Sequence, residues 1–197
     1  MTYQSKPLPF SEIPKGLSKK AVDIHHDKLY VGYVNKMNEI GEKLQALSET
    51  AFSGANQTYS ELRALKDGET FATNGVYLHE AYFDVLSGAG QAQGPLVEAL
   101  KETYGSLEKF VTIFSAVAMS VRGWVVLAWD TNIGQLKIYG ADAHNQGGVW
   151  GCLPIIVLDV YEHAYFMDYG SDRGTYIKDF WASLNWPAAN EKFGKIK

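Results

Sequence analysis

A single cysteine, Cys152, stands among 197 residues. One thiol excludes an internal disulfide framework and a cysteine-rich zinc site. It suits a reducing compartment, so the chain is expected to be cytoplasmic. Basic blocks are also missing. The formal net charge is -4, which argues against nucleic acid as a partner held by bulk charge. No apolar run approaches the roughly 20 residues of a membrane span, so no membrane association is expected. The opening MTYQSKPLPFSEIPKGLSKK has no apolar core of the kind a signal peptide needs. Proline is scarce, and three of the six, Pro7, Pro9 and Pro14, fall in the first twenty residues, which read as an extended arm. Repeats and low-complexity tracts are absent. What is plentiful is apolar surface: hydrophobic residues make up 46 % and aromatics 13 %, enough for a folded chain with a sizeable core.

The pattern divides near the glycine-rich stretch SGAGQAQGP, residues 87 to 95, whose Pro95 is well placed to open a helix. Before it, Ser18 is a candidate N-cap for a long helix through AVDIHHDKLYVGYVNKMNEIGEKLQAL. Val22, His25, Leu29, Tyr33 and Met37 follow steps of three and four and share one face of it. FSGANQTYS breaks the pattern. A short helix at SELRALKDG and a second long helix from about Thr73 to Leu86 follow, with His79, Tyr82, Phe83 and Leu86 on one face. Two helices, PLVEALKETYG and SLEKFVTIFSAVAMSV, come after the linker. GWVVLAWD, QLKIYGAD and LPIIVLDV read as three strands, and RGTYIKDFWASLNW as a closing helix. The expectation is an α+β fold. An N-terminal hairpin of two long helices occupies residues 1–90, and a C-terminal α/β domain on a small three-stranded antiparallel sheet occupies 91–197.

The chain has five histidines. His25 and His79 lie on the apolar faces of the two long helices, and His163 follows Asp159 by four residues. Asp159 and His163 would meet only if the strand turns into a helix between them. A lone histidine on an apolar face is commonly a hydrogen-bonded core residue. Two on facing helices, with a third beside an aspartate, suggest a metal. Three neutral imidazoles and one carboxylate suit iron or manganese; calcium would want oxygen ligands and a soft metal thiolates.

DVYEHAYF, residues 159 to 166, resembles the D-x-W-E-H-A-Y-Y signature of the iron/manganese superoxide dismutases. IHHDKLYVGYV resembles the family's first-helix segment, LHEAYF its second-helix ligand segment, RGWVVLAW its G-W-x-W-L strand, and YIKDFWASLNW its closing helix. The resemblance covers nearly the whole chain in the family's order. It implies the two-domain fold above and an oxidoreductase that converts superoxide to dioxygen and hydrogen peroxide at one iron or manganese ion per subunit. The implied metal ligands are His25, His79, Asp159 and His163, completed by a solvent molecule. His26 lies about 100° further round the helix and is read as structural, with an exchange of roles with His25 as the alternative.

The resemblance also implies an outer shell. Tyr33 matches the gateway tyrosine of the substrate funnel and Trp124 a pocket-wall tryptophan. Glu162 matches a glutamate that reaches across a two-fold interface to His163 of the partner subunit, which implies a homodimer and leaves pairing into tetramers open. Gly75, four residues before His79, resembles the pattern in which the group bonding the solvent ligand comes from the sheet. That group is His144, or Gln146 if the loop slips by two. Histidine there points to iron, with manganese also supporting activity. Several positions depart from the family. Phe83 and Tyr161 stand where tryptophans are frequent, Leu29 and Tyr30 replace a histidine pair, and Phe166 replaces the tyrosine that one of those histidines would bond. Two other readings compete: a non-haem iron oxidase or oxygenase, and a metal-binding homologue without activity.

Overall fold

The computed structural model describes residues 2–88 and 91–196. The arm up to residue 18 lies against the helices without regular structure. Ser18 then caps α1 (Lys19–Ile24), its hydroxyl accepting the Ala21 N–H, a contact worth about 1 kcal/mol. α1 runs into a π-helical turn, His25–Tyr30, and on into α2 (Val31–Gln45). The expected plain α-helical face is therefore displaced. The wider turn inserts one residue, so the buried row is Val22, His25, Tyr30 and Val34, and Leu29 is only partly covered.

A short helix, α3 (Glu49–Ser53), leads to α4 (Glu61–Phe83), capped by Ser60. The short helix and the separate long helix expected between residues 60 and 86 are one continuous element, ending at Phe83. Gly68 does not break it. A Cβ at Gly68 would lie 3.2 Å from Ile40 Cδ1, so the missing side chain admits close approach of α2. That packing offsets the ~1 kcal/mol a mid-helix glycine costs. α2 and α4 form the antiparallel hairpin.

Most of the expected linker is described, but residues 89 and 90, where the expected domain boundary falls, lie outside the described residues. Beyond it come α5 (Pro95–Tyr104), with proline in its first turn, and α6 (Leu107–Ser120). The sheet has the order β2-β1-β3, with β1 (Trp124–Asp130), β2 (Gln135–Ala141) and β3 (Cys152–Asp159) antiparallel. Ile155 is the extra residue of a bulge: Leu127 pairs with Ile156, but Ala128 with Pro154. Pro154 is tolerated because β3 is an edge strand. Trp124 stands opposite Asp159. β3 ends there and α7 (Glu162–Tyr169) begins three residues on, which is the strand-to-helix change that the Asp159–His163 spacing needs.

The single closing helix expected from residue 173 is two, α8 (Arg173–Ser183) and α9 (Trp186–Ile196). Pro187 has no N–H for a continuing helix, so it sits in the first turn of a new one, and the Asn185 side chain caps that turn through the Ala188 N–H. The core is continuous across both halves: Tyr30, Val76 and Phe83 of the hairpin pack in one cluster with Leu127, Ile156 and Phe180. Among the described residues no helix is long and apolar enough to cross a membrane.

Candidate metal centre

Four side chains from four places in the chain converge where α4 meets the end of β3. One donor atom from each of His25, His79, Asp159 and His163 lies within 4.8 Å of the others. Asp159 Oδ2 is 3.1 Å from His25 Nε2, 3.1 Å from His163 Nε2 and 3.6 Å from His79 Nε2. The rest of Asp159 is already bonded. Its Oδ1 accepts the Tyr161 N–H at 2.9 Å, and its backbone carbonyl accepts the Tyr176 hydroxyl at 2.8 Å. Because Tyr176 donates there, its oxygen is free to accept from the Tyr82 hydroxyl 3.0 Å away. Oδ2 is left facing three imidazole nitrogens.

His79 tests whether a metal fits. Its Nδ1 is 2.5 Å from the Gly75 carbonyl oxygen. A carbonyl only accepts, so Nδ1 carries the hydrogen and Nε2 presents a bare lone pair. That Nε2 is fully buried and has no hydrogen-bond partner among the described residues. An orphan buried acceptor is costly, and here it points into a cluster of three other metal-ligating groups. The donor chemistry and the orphan nitrogen both fit a first-row transition metal.

Burial lowers the pKa of His25, and drives that of His79 down to about 3 with help from His25, so both imidazoles stay neutral. For His163 burial acts in the same sense, but the Asp159 carboxylate outweighs it and raises the pKa. Burial would raise Asp159; the surrounding His163 and His25 overcome it and hold the carboxylate well below the usual range.

A second set of groups stands over His79. Trp124, fully buried, meets the His79 ring edge-on at 5.0 Å. Its indole N–H donates to His144 Nδ1 at 2.9 Å. Burial lowers the His144 pKa to about 4, so the ring is neutral and its one hydrogen sits on Nε2. That N–H donates to the Tyr33 hydroxyl at 2.7 Å. The chain of donors runs from Trp124 to His144 to Tyr33, and among the described residues the Tyr33 O–H has no acceptor. Gln146 takes no part: it is exposed, and its backbone N–H closes a turn on Ala143. A Cβ at Gly75 would lie 2.8 Å from the Tyr33 ring, so the missing side chain there admits Tyr33.

Tyr161 stacks on His163 with centroids 5.2 Å apart and sends its hydroxyl towards the Asp142 carbonyl at 3.4 Å. Glu162 is exposed in the first turn of α7. His26 turns away from the cluster, and its Nε2 donates to the Lys6 carbonyl at 2.8 Å. Sequence reasoning missed Phe71, whose ring meets His144 at 4.5 Å, and the Tyr82–Tyr176 pair. Neither has a local signal, because each acts on a group brought to it by the tertiary fold.

Residues 3–87 match the alpha-hairpin domain of the iron/manganese superoxide dismutases, and residues 92–192 match their C-terminal domain. The chain belongs to the iron/manganese superoxide dismutases. It is 43 % identical over 183 residues to the superoxide dismutase [Fe] of Aquifex pyrophilus, covering 92 % of this chain and 86 % of that protein. It is 33 % identical over 195 residues to the superoxide dismutase [Mn] 1 of Halobacterium salinarum, covering 97 % and 94 %. A superoxide dismutase [Fe] of Saccharolobus solfataricus is 33 % identical over 202 residues, covering 98 % and 94 %. Relatives named for iron and for manganese both occur at 33 % identity, and the 43 % relative is named for iron.

Proposed function

We propose that this protein dismutates superoxide, converting two superoxide anions and two protons into dioxygen and hydrogen peroxide, with His25, His79, Asp159 and His163 holding one iron or manganese ion. The observation that carries the reading is the buried, unpartnered His79 Nε2 aimed at the other three donors. When bound, iron or manganese supplies one-electron exchange between its trivalent and divalent states, which lets one superoxide be oxidised and the next reduced. The residues supply the rest. Three neutral imidazoles and one carboxylate leave a bound cation with net positive charge, which favours approach of a small anion. The aromatic rings of Trp124, Tyr161, Phe83 and Tyr82 exclude bulk water from the donors.

Tyr33 is the proposed hydrogen-bond donor to the incoming anion. Its oxygen already accepts from His144, so its own hydrogen is the one left to give. Burial, then the Asp159 charge, raises its pKa, so the phenol keeps that hydrogen at neutral pH. Trp124 fixes the tautomer of His144 and through it the orientation of Tyr33. Iron is the favoured metal, with manganese supporting some activity; the relatives of both kinds support a site open to either.

We further propose a homodimer in which Glu162 bonds His163 of the partner subunit. Supporting this are the exposed Glu162, a His163 side chain 28 % exposed, and Phe166 and Met167, exposed on the same short helix at 54 % and 48 %. A symmetric patch of this kind is what a two-fold interface requires, and a tetramer would need a second interface besides it. Two domains, 1–90 and 91–197, are proposed on either side of the linker, and the cytoplasm is the proposed compartment, supported by the lone cysteine. The test is reconstitution of apo protein separately with iron and manganese, followed by metal analysis and a superoxide-consumption assay. Activity with iron above that with manganese is expected. Metal uptake without superoxide consumption would sink the enzymatic reading.

A further inference from the structure

Each of the two candidate ligands on the N-terminal hairpin, His25 and His79, has a neighbour in a common, partly buried network. Glu80 follows His79, and its side chain is only 10 % exposed. A carboxylate so deep is costly unless its oxygens are bonded, and here both are. The Tyr30 hydroxyl donates to Oε1 at 2.8 Å, the Tyr3 hydroxyl lies 2.9 and 3.1 Å from the two oxygens, and the Lys6 ammonium donates to Oε2. Lys6 is used twice more. Its N–H donates to the Tyr30 oxygen at 2.9 Å, and its carbonyl accepts from His26. Tyr3 is fixed in turn by Asn38, whose side-chain oxygen accepts the Tyr3 N–H at 2.8 Å and whose amide donates to the Tyr3 carbonyl at 2.9 Å.

Tyr30 ends the π-helical turn that begins at His25. An ordinary helical turn would put Leu29 above His25; the wider one carries Tyr30 inward until it is 1 % exposed and within reach of Glu80. The Tyr30–Glu80 bond therefore ties the turn that carries His25 to the residue after His79, and the arm closes the bond from outside. We propose that Tyr30 and Glu80, held by Tyr3 and Lys6 of the N-terminal arm, are positioning residues for the metal centre. They set the separation of His25 and His79, and so the rate at which metal is lost. The inference rests on the reading of the cluster as an iron or manganese site.

The experiment compares the metal-loaded full chain with Glu80→Gln, Tyr30→Phe, Lys6→Ala and a control, Ile40→Val. Ile40 is buried between α2 and α4, away from the donors, so the control lowers stability without touching the network. Loss of metal to excess chelator and the absorption spectrum of bound ferric iron are recorded for each. Glu80→Gln should release metal about tenfold faster than the wild type, the scale typical of outer-shell partners, with a shifted spectrum. Tyr30→Phe and Lys6→Ala should follow in the same direction by less, and Ile40→Val should match the wild type. Release at the wild-type rate with an unchanged spectrum in Glu80→Gln would overturn the proposal. If that variant does not fold, Tyr30→Phe and Lys6→Ala, which keep the carboxylate, decide it: wild-type release in both overturns it. A wild-type protein that takes up neither iron nor manganese overturns the metal reading itself, and is told apart because every variant then lacks metal to lose.

Discussion

His79 and His163 offer the same imidazole to the same cluster in opposite settings. His79 is fully buried, and its outer nitrogen is held by the Gly75 carbonyl one helical turn back. His163 has its ring partly in solvent, and among the described residues no group bonds its Nδ1. One candidate ligand is oriented by its own helix; the other has its inner nitrogen placed and its outer nitrogen open at a surface carrying Glu162, Phe166 and Met167. Outer partners fix the tautomer and the aim of a metal-bound histidine. This chain thus orients His79 by itself and leaves the outer nitrogen of His163 open, as the proposed contact from a second copy requires.

The largest effects should come from removing either imidazole. His79→Ala and His163→Ala should each lose bound metal and with it superoxide consumption. A full metal equivalent retained in one variant, measured by elemental analysis, would remove that residue from the ligand set. The two should still differ. Loss of His79 leaves a cavity in the core, costing about 2–5 kcal/mol in an unfolding titration, whereas loss of the partly exposed His163 ring should cost less.

Next in size is Glu162→Ala. It should weaken the dimer, so that activity per chain falls on dilution while the wild type holds. Sedimentation that finds a fully active wild-type monomer at micromolar concentration would break the comparison, because His163 would then need no second chain. Smaller still is the exchange at the donor chain. His144→Gln should shift the ratio of manganese to iron activity, since an amide and an imidazole reach Tyr33 differently, and Gln146→Ala should leave the ratio nearly unchanged. The opposite ranking would place Gln146, not His144, in the working site. The smallest effect belongs to Tyr161→Phe. Its hydroxyl makes one 3.4 Å contact to Asp142, so its loss should cost no more than about 0.5–1 kcal/mol, read from thermal unfolding of the apo protein.

Strand and helix types were largely legible because hydrophobic period and turn residues speak locally. Elements failed where a tertiary contact decided the matter. Gly68 reads as a helix breaker until Ile40 is seen packed where its side chain would be. The π-helical turn has no sequence signature, for it is stabilised by Tyr30 reaching Glu80, fifty residues away. The second closing helix is hard to read because Pro187 signals an end to α8 and equally suits the first turn of a new helix. For the candidate centre, the residue types and the i, i+4 spacing of Asp159 and His163 suggested a metal, but choosing His25 over His26 relied on family resemblance. The fold supplies the physical reason, since His26 is engaged by the arm at Lys6. The donor order Trp124, His144, Tyr33 could not be read at all, because it depends on which ring nitrogen faces which neighbour.

The central claim is that the four converging donors bind one redox metal per chain and that superoxide is consumed there. Its most direct test is an anaerobic titration of the apo protein with ferrous iron, in parallel with His79→Ala, superoxide consumption being assayed at each addition. The wild type should saturate at one equivalent per chain, activity rising in proportion to bound iron, and the variant should gain neither. Activity that does not track bound iron, or equal uptake by His79→Ala, would contradict it.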